Sequence, residues 1–236
     1  MLYGEKEVRD NIRNREGKRV FYLGKGDQLT SGARDFLTRE RIAILPAEQA
    51  RPERFKLLSG GYVEEKPEHM THLNGETLVS KTHPRIAFRG KMDELEATLL
   101  LCQLNGGPEW RKHLGEILGL ARRILRCDVL EEPLIQESLC GFTEQEQRLR
   151  SHRPQEFYGQ PHFMPEVSDG AGVLWLNRAR TAARSAELAA VAAWTDRDGK
   201  LTREDIPRAL NRMSSMLYIL MIQAKKERQV GSGGIC

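Results

Sequence analysis

The stretch Arg180-Thr-Ala-Ala-Arg184-Ser-Ala-Glu187, set in an alanine- and leucine-rich run from Val173 to Trp194, decides how this chain is read. Arg180 and Arg184 are related i,i+4, and Arg184 and Glu187 i,i+3. Helical geometry therefore puts two guanidiniums and a carboxylate on one face. Beside them Leu176, Ala179, Ala183, Ala186, Ala190 and Ala193 recur at coiled-coil spacing, an apolar seam that needs a partner helix. A solvated helix would scatter lysine and glutamate around most of its circumference. Charges abutting a seam of small residues are expected instead at the edge of a helix–helix interface. Guanidiniums fixed there suit a polyphosphate, which they bind through forked, charge-assisted hydrogen bonds. By spacing alone, an ordinary intrahelical salt-bridge ladder fits as well.

The same periodicity extends outward from this helix. Arg85 to Leu104 carries Phe88, Met92, Leu95, Leu99 and Cys102 and stops at Asn105-Gly-Gly-Pro. Trp110 to Val129 repeats Leu114, Ile117, Leu118, Ala121, Ile124 and Leu125. A short helix is expected from Thr143 to about His152, opened by the Thr143/Glu146 capping box. A loop rich in Pro, Gly and His follows over 153–172, and a last helix runs from Thr202 to Glu227 with Leu210, Met213, Leu217, Leu220 and Ala224 as its seam. Four long helices and one short one predict a mainly α protein, an up-and-down bundle over residues 80–228. Before it, residues 1–79 are polar and punctuated by Gly and Pro. Val20–Leu23 and Ile42–Leu45 read there as short strands, and Thr30 opens a short helix, giving a small irregular α/β appendage. Residues 229–236 read as a disordered tail.

At 236 residues the chain allows one domain with an appendage or two small domains. The net charge of +4 suits an anionic ligand, while the scattered basic residues and few aromatics give no nucleic-acid platform. No segment approaches the roughly 18 apolar residues of a membrane span, and the charged start is not a signal peptide. Cys102, Cys127, Cys140 and Cys236 include no CxxC pair. Cys102 and Cys127 are expected to be buried free thiols in a reducing cytoplasm.

Several candidate sites fail on spacing. Asp196-Arg-Asp-Gly-Lys-Leu-Thr-Arg-Glu-Asp looks like a calcium loop, but positions 5, 6 and 12 from Asp196 are Lys200, Leu201 and Pro207. A calcium loop needs an oxygen ligand, glycine and glutamate there. A turn with Thr202 and Asp205 capping the next helix fits better. The six histidines (69, 72, 83, 113, 152 and 162) complete no zinc set. There is no Ser-His-Asp arrangement, phosphate loop or GxGxxG. Two further clusters remain. Lys81, Arg85, Arg89 and Lys91 surround a helix start, where the helix dipole also favours anions; a solvated basic face is the plain alternative. Asn211, Ser215 and Tyr218 form a polar stripe on the last helix that needs partners, from a ligand or from a neighbouring helix.

Together these stretches resemble the ATP:corrinoid adenosyltransferases that share a helical-bundle fold with the propanediol-utilisation (PduO-type) enzyme. Arg180-Thr-Ala-Ala-Arg184-Ser-Ala-Glu187 resembles the family's Arg-x-x-x-Arg-x-x-Glu signature. Lys81-Thr-His-Pro-Arg-Ile-Ala-Phe-Arg-Gly-Lys-Met-Asp93-Glu-Leu resembles its first-helix stretch, and Leu210-Asn-Arg-Met-Ser-Ser-Met-Leu-Tyr its closing Leu-Asn-Arg-Leu-Ser-Asp-x-Leu-Phe. Thr71-His-Leu, Arg126-x-Asp-x-x-Glu-Glu-Pro-Leu and Met164-Pro-Glu-Val-Ser-Asp-Gly are similar to the ethanolamine-utilisation (EutT-type) branch. The branch's His…Cys-Cys-x-x-Cys metal motif is missing, so the chain resembles the metal-free members, with no structural zinc or iron expected. Ser215 stands where the family has aspartate, and the family's glycine-rich phosphate loop is also absent.

The resemblance implies transfer of the 5′-deoxyadenosyl group of ATP, carried with Mg²⁺, to the cobalt of reduced cobalamin. A non-catalytic corrinoid chaperone or compartment scaffold is the competing class. It further implies Arg184, Lys81 and Arg85 on the polyphosphate and Asn211 and Glu187 on the nucleoside. Asp93 would pair with Arg180 across subunits. Phe163, in His162-Phe-Met-Pro, would be an apolar wedge that displaces the corrinoid's lower axial ligand, with Met164 beside it against cobalamin. The expected setting is the cytoplasm, open or within a bacterial microcompartment, as a homo-oligomer (a trimer by resemblance). A reductase or flavodoxin would supply electrons and ethanolamine ammonia-lyase would use the product, with neither nucleic acid nor membrane as partner.

Overall fold

The structure, a computed structural model, describes residues 1–15, 17–50, 55–105, 108–135 and 138–232. The chain divides into two compact units, Met1–His83 and Pro84–Cys236.

The first unit contains β1 (Leu2–Tyr3), α1 (Glu5–Asp10), β2 (Arg13–Arg15), β3 (Lys18–Leu23), β4 (Gln28–Leu29), α2 (Ser31–Arg39) and β5 (Ala43–Pro46). It continues with β6 (Phe55–Leu57), β7 (Tyr62–Val63), β8 (Met70–Asn74) and β9 (Thr77–Ser80). Seven of these strands form one mixed sheet in the order β5-β3-β2-β7-β6-β9-β8. The apolar run Val20–Leu23 lies in β3, parallel to β5 with Val20 opposite Ala43. Thr30 caps α2, its Oγ1 accepting from the Ala33 N–H at 3.2 Å. Ala33, Phe36 and Leu37 of α2 pack with Val8 and Phe21 into a small core. The sheet is more regular than the irregular appendage read from sequence.

In the second unit the helices are α3 (Pro84–Asn105), α4 (Pro108–Val129), α5 (Glu144–His152), α6 (Pro154–Tyr158), α7 (Ala171–Trp194) and α8 (Asp205–Ser232). Two short strands, β10 (Ser138–Leu139) and β11 (Phe142–Thr143), lie between α4 and α5. Phe88, Met92, Leu95, Leu99 and Cys102 of α3 are all buried, as their spacing requires. Leu114, Ile117, Leu118, Ala121 and Ile124 of α4 are buried too. The Thr143/Glu146 capping box forms as expected. On α7 the seam Leu176, Ala179, Ala183, Ala186 and Ala190 is buried and Ala193 is partly so. Small side chains let α7 lie close along both α3 and α8.

Helix α8 is central rather than one-faced. Besides Leu210, Met213, Leu217 and Leu220, it buries Ile206, Met216, Ile219, Met221 and Ile222, so apolar residues cover most of its circumference. It begins at Asp205, later than expected, because Thr202 and Asp205 do not cap it. The Thr202 hydroxyl donates to the Trp194 carbonyl at 2.7 Å, and Asp205 accepts from the Leu134 N–H at 2.7 Å and pairs with Arg203. The helix reaches Ser232, into the stretch read as a tail; residues 233–236 lie outside the described ones. No helix among the described residues is long and apolar enough to cross a membrane.

Candidate functional site

Residues of α7, α8 and the loop before α7 make up the candidate site. Glu187 and Asn211 meet across the α7–α8 contact, where the Asn211 Nδ2 donates to Glu187 Oε1 at 2.8 Å. One turn before Glu187, the exposed Arg184 makes no hydrogen bond or ion pair among the described residues. Arg180 is half-buried. Its Nε and Nη2 both donate to Asn177 Oδ1, at 3.2 and 3.0 Å. Burial, and then the neighbouring charge of Arg184, lower its pKa, while Tyr218 pulls the other way. Like charges four residues apart cost energy unless an anion joins them. The intrahelical ladder is not formed: no bond joins Glu187 to either arginine.

The loop before α7 is anchored on α8. The His162 Nε2 faces the His152 carbonyl at 3.3 Å and so carries a proton, and its Nδ1 stands 3.0 Å from the Tyr218 hydroxyl. Phe163 stacks on the same Tyr218 ring at 6.2 Å, with Lys225 Nζ 4.2 Å from its ring centroid. Lys225 also pairs with the buried Asp169 at 2.7 Å. Gly170, with φ 86, closes the loop, and the Arg228 guanidinium occupies the space a Cβ would need. Met164 of this loop is 85% exposed, an apolar side chain that buries little in its own chain.

The basic cluster at the start of α3 is not an open anion site. Arg85 donates from Nε to Asp128 Oδ1 (2.8 Å), from Nη2 to the Asp128 carbonyl (2.6 Å) and from Nη1 to Glu131 (2.9 Å). Arg89 donates to the other Asp128 oxygen at 2.6 Å. The Asp128 carboxylate is wholly buried, and a buried carboxylate holds its charge only when paired this way. Arg85, expected on polyphosphate, is thus committed to Asp128. Lys91 pairs with Glu94 within α3, and Lys81 belongs to the first unit, where its Nζ bonds Glu68 at 2.8 Å. Asp93 is exposed on α3 and makes no hydrogen bond or ion pair among the described residues.

The polar stripe on α8 finds partners within the protein. Ser215 donates to the Asn211 carbonyl, Tyr218 meets His162, and Asn211 meets Glu187. The Asp196 turn closes on itself, its Oδ1 accepting from the backbone N–H groups of Asp198 and Lys200. Among the described residues no group of three or more His, Cys, Asp or Glu could hold a metal ion. Burial pushes the thiols of Cys102 and Cys140 up to about 12, leaving them protonated and inert. Cys127, expected to be buried, is only half-buried. Sequence spacing could not reveal the Asp169–Lys225 pair, whose members lie on different elements, whereas Asn177 stands i,i+3 from Arg180 on α7 and was open to the same helical reading.

A family model described as cobalamin adenosyltransferase matches residues 61–224. The corrinoid adenosyltransferase EutT of Salmonella typhimurium strain LT2 is 30% identical over 238 residues, spanning 91% of this chain and 89% of that protein. EutT of Escherichia coli K12 is 34% identical over 160 residues, 68% of this chain and 60% of that one. Among solved structures, a phenylalanine-to-alanine variant of a PduO-type ATP:corrinoid adenosyltransferase from Lactobacillus reuteri, complexed with cobalamin and ATP, superposes with a TM-score of 0.51. It is 22% identical and covers 69% of this chain and 91% of that one. An arginine-to-lysine variant of a PduO-type enzyme from the same organism, complexed with ATP, gives a TM-score of 0.50 at 20% identity, over 69% of this chain and 92% of that one.

Proposed function

The chain belongs to the cobalamin adenosyltransferase family, and from that premise we propose how its own residues carry the reaction. It is an ATP:corrinoid adenosyltransferase of the EutT type, making adenosylcobalamin from ATP and reduced cobalamin. Cobalt in the Co(I) state supplies the electron pair that forms the bond to the ribose C5′. The C5′–O bond breaks, and the polyphosphate leaves with that bond's electrons. So strong a nucleophile needs no general base, so the protein's task is alignment, charge compensation and exclusion of water.

The bonded pair Glu187–Asn211, one turn from an Arg184 that is unpaired among the described residues, is the observation that carries this assignment. Glu187 and Asn211 hold the nucleoside, and Arg184 takes the departing polyphosphate, which carries its own Mg²⁺. Arg85 does not join it there, because Asp128 and Glu131 occupy its guanidinium. Arg180 pairs with Asp93 of a second copy: neither forms an ion pair within its own chain among the described residues, and burial of the guanidinium favours an acidic partner. That pairing makes the protein a homo-oligomer, by resemblance a trimer, with residues 80–228 carrying the chemistry and 1–79 forming an appendage. Phe163, seated on Tyr218, is the wedge that displaces the lower axial ligand, with Met164 against the corrin. A reductase or flavodoxin supplies the electron that makes Co(I), and ethanolamine ammonia-lyase takes the product. All of this belongs in the cytoplasm or a microcompartment within it.

The test is spectral. Protein, ATP and chemically reduced cobalamin are mixed in the dark, and the light-sensitive adenosylated spectrum is followed. Its appearance with ATP and not without it is expected. Stoichiometric corrinoid binding with no such spectrum would leave only a corrinoid-binding module.

A further inference from the structure

The Asn211 carboxamide is polarised from both ends. Its Oδ1 accepts from Arg212 Nη2, and its Nδ2 donates to Glu187 Oε1. A guanidinium can only donate and a carboxylate only accept, so neither end tolerates a flipped amide. Glu187 keeps Oε2 without a hydrogen bond among the described residues, an acceptor suited to a sugar hydroxyl.

Arg212 is an unusual residue to spend on this bond. It is half-buried on α8, within electrostatic reach of Arg148 and Glu144 of the facing helix α5. Its Nη1 is buried and has no hydrogen-bond partner among the described residues, a state that costs about 1–3 kcal/mol in a folded protein. Burial and the like charge of Arg148 disfavour its cation, and Glu144 and Glu187 favour it. A guanidinium retained under those conditions needs a reason beyond packing, since methionine would fill the same space at less cost.

We propose that Arg212 is a positioning residue for the nucleoside: it locks the Asn211 amide so that Glu187 presents Oε2 at a fixed place and angle. This rests on the assignment of Glu187 and Asn211 to the nucleoside. Arg212 acts through Asn211, and its effect disappears once Asn211 is gone.

The experiment is a double-mutant cycle read by calorimetric binding of ATP to the full chain without corrinoid. The variants are Asn211→Ala, Arg212→Met, both together, and Arg212→Lys. Arg212→Met is expected to weaken ATP binding by roughly 3–10-fold, the range for one lost hydrogen bond in a polar relay. The double variant is expected to bind as Asn211→Ala does, a non-additivity that a merely structural role would not produce. Arg212→Lys, with one donor left for Oδ1, is expected to recover part of the loss. Melting temperatures identify any variant weakened by misfolding, and for such a variant Arg212→Lys carries the comparison. If Asn211→Ala binds ATP normally, the nucleoside assignment itself is wrong. If Asn211→Ala weakens binding but the Arg212→Met effect is nil, or multiplies with it, the relay is refuted and the assignment stands.

Discussion

Replacing Arg85 with methionine separates a structural cation from a ligand-binding one. The variant removes these three donations, among others. The Nη1 bond to Glu131, whose side chain is 55% exposed, is worth about 0–1 kcal/mol. The Nη2 bond to the Asp128 carbonyl adds about 1 kcal/mol. The Nε bond ends on a carboxylate with no exposure at all, and charge-assisted bonds of that kind contribute about 1.5–3 kcal/mol. Arg89 still holds the second carboxylate oxygen, so the full 3–5 kcal/mol of a broken buried pair is an upper bound. A loss of about 3 kcal/mol is expected, lowering the melting temperature by about 6–12 °C at 2–4 °C per kcal/mol. Calorimetry or far-UV circular dichroism measures it. Below the transition the ATP KM is expected to stay within about twofold of the parent, since uniform binding is untouched. A variant that melts like the parent and has an ATP KM raised about tenfold would show that Arg85 leaves Asp128 to bind polyphosphate.

Three further outcomes follow from the site. Phe163→Ala is expected to slow turnover from Co(II) far more than from pre-reduced Co(I); equal slowing in both assays would remove it from the wedge role. Asp93→Ala and Arg180→Ala chains are each expected to be impaired alone and to regain activity when co-assembled, because a mixed interface restores one complete pair; no recovery would count against pairing between copies. For Asp169, burial alone raises the carboxyl pKa, but the Lys225 hydrogen bond, the Glu166 N–H and the Lys225 and Arg228 charges bring it below its ordinary value. Its stabilisation is therefore present above the unfolded pKa of about 3.9 and lost as pH falls through the lower folded value. Asp169→Asn is expected to cost about 1–3 kcal/mol at neutral pH, a gap that closes in urea titrations repeated below about pH 4; a gap independent of pH would contradict this.

The bundle was legible because its helices bury regular stripes. The alanine-rich run Val173–Trp194 lies within α7, Ala171–Trp194, since alanine spacing marks the seam. The pair Glu187–Asn211 was named from two separate helices, although only the fold could bring them together. The basic start of α3 misled for the complementary reason. Charges counted along one helix look solvated or ligand-ready, and the carboxylate that neutralises Arg85 and Arg89 lies at the far end of α4, 43 and 39 residues away. Thr202 and Asp205 carried a capping-box spacing, but Trp194 and Leu134 claim their side chains first. In the first unit, β6 and β7 are only three and two residues long. Runs that short carry no period from which pairing or sheet order could be read.

The central claim is that Arg184 holds the leaving polyphosphate while Glu187 and Asn211 hold the nucleoside. Calorimetric binding of ATP and of adenosine to the parent and to Arg184→Ala tests it directly. Loss of one charge-assisted contact is expected to weaken ATP binding roughly 10–100-fold, with adenosine affinity and melting temperature unchanged. ATP bound as tightly as by the parent, or adenosine weakened as much as ATP, would contradict it.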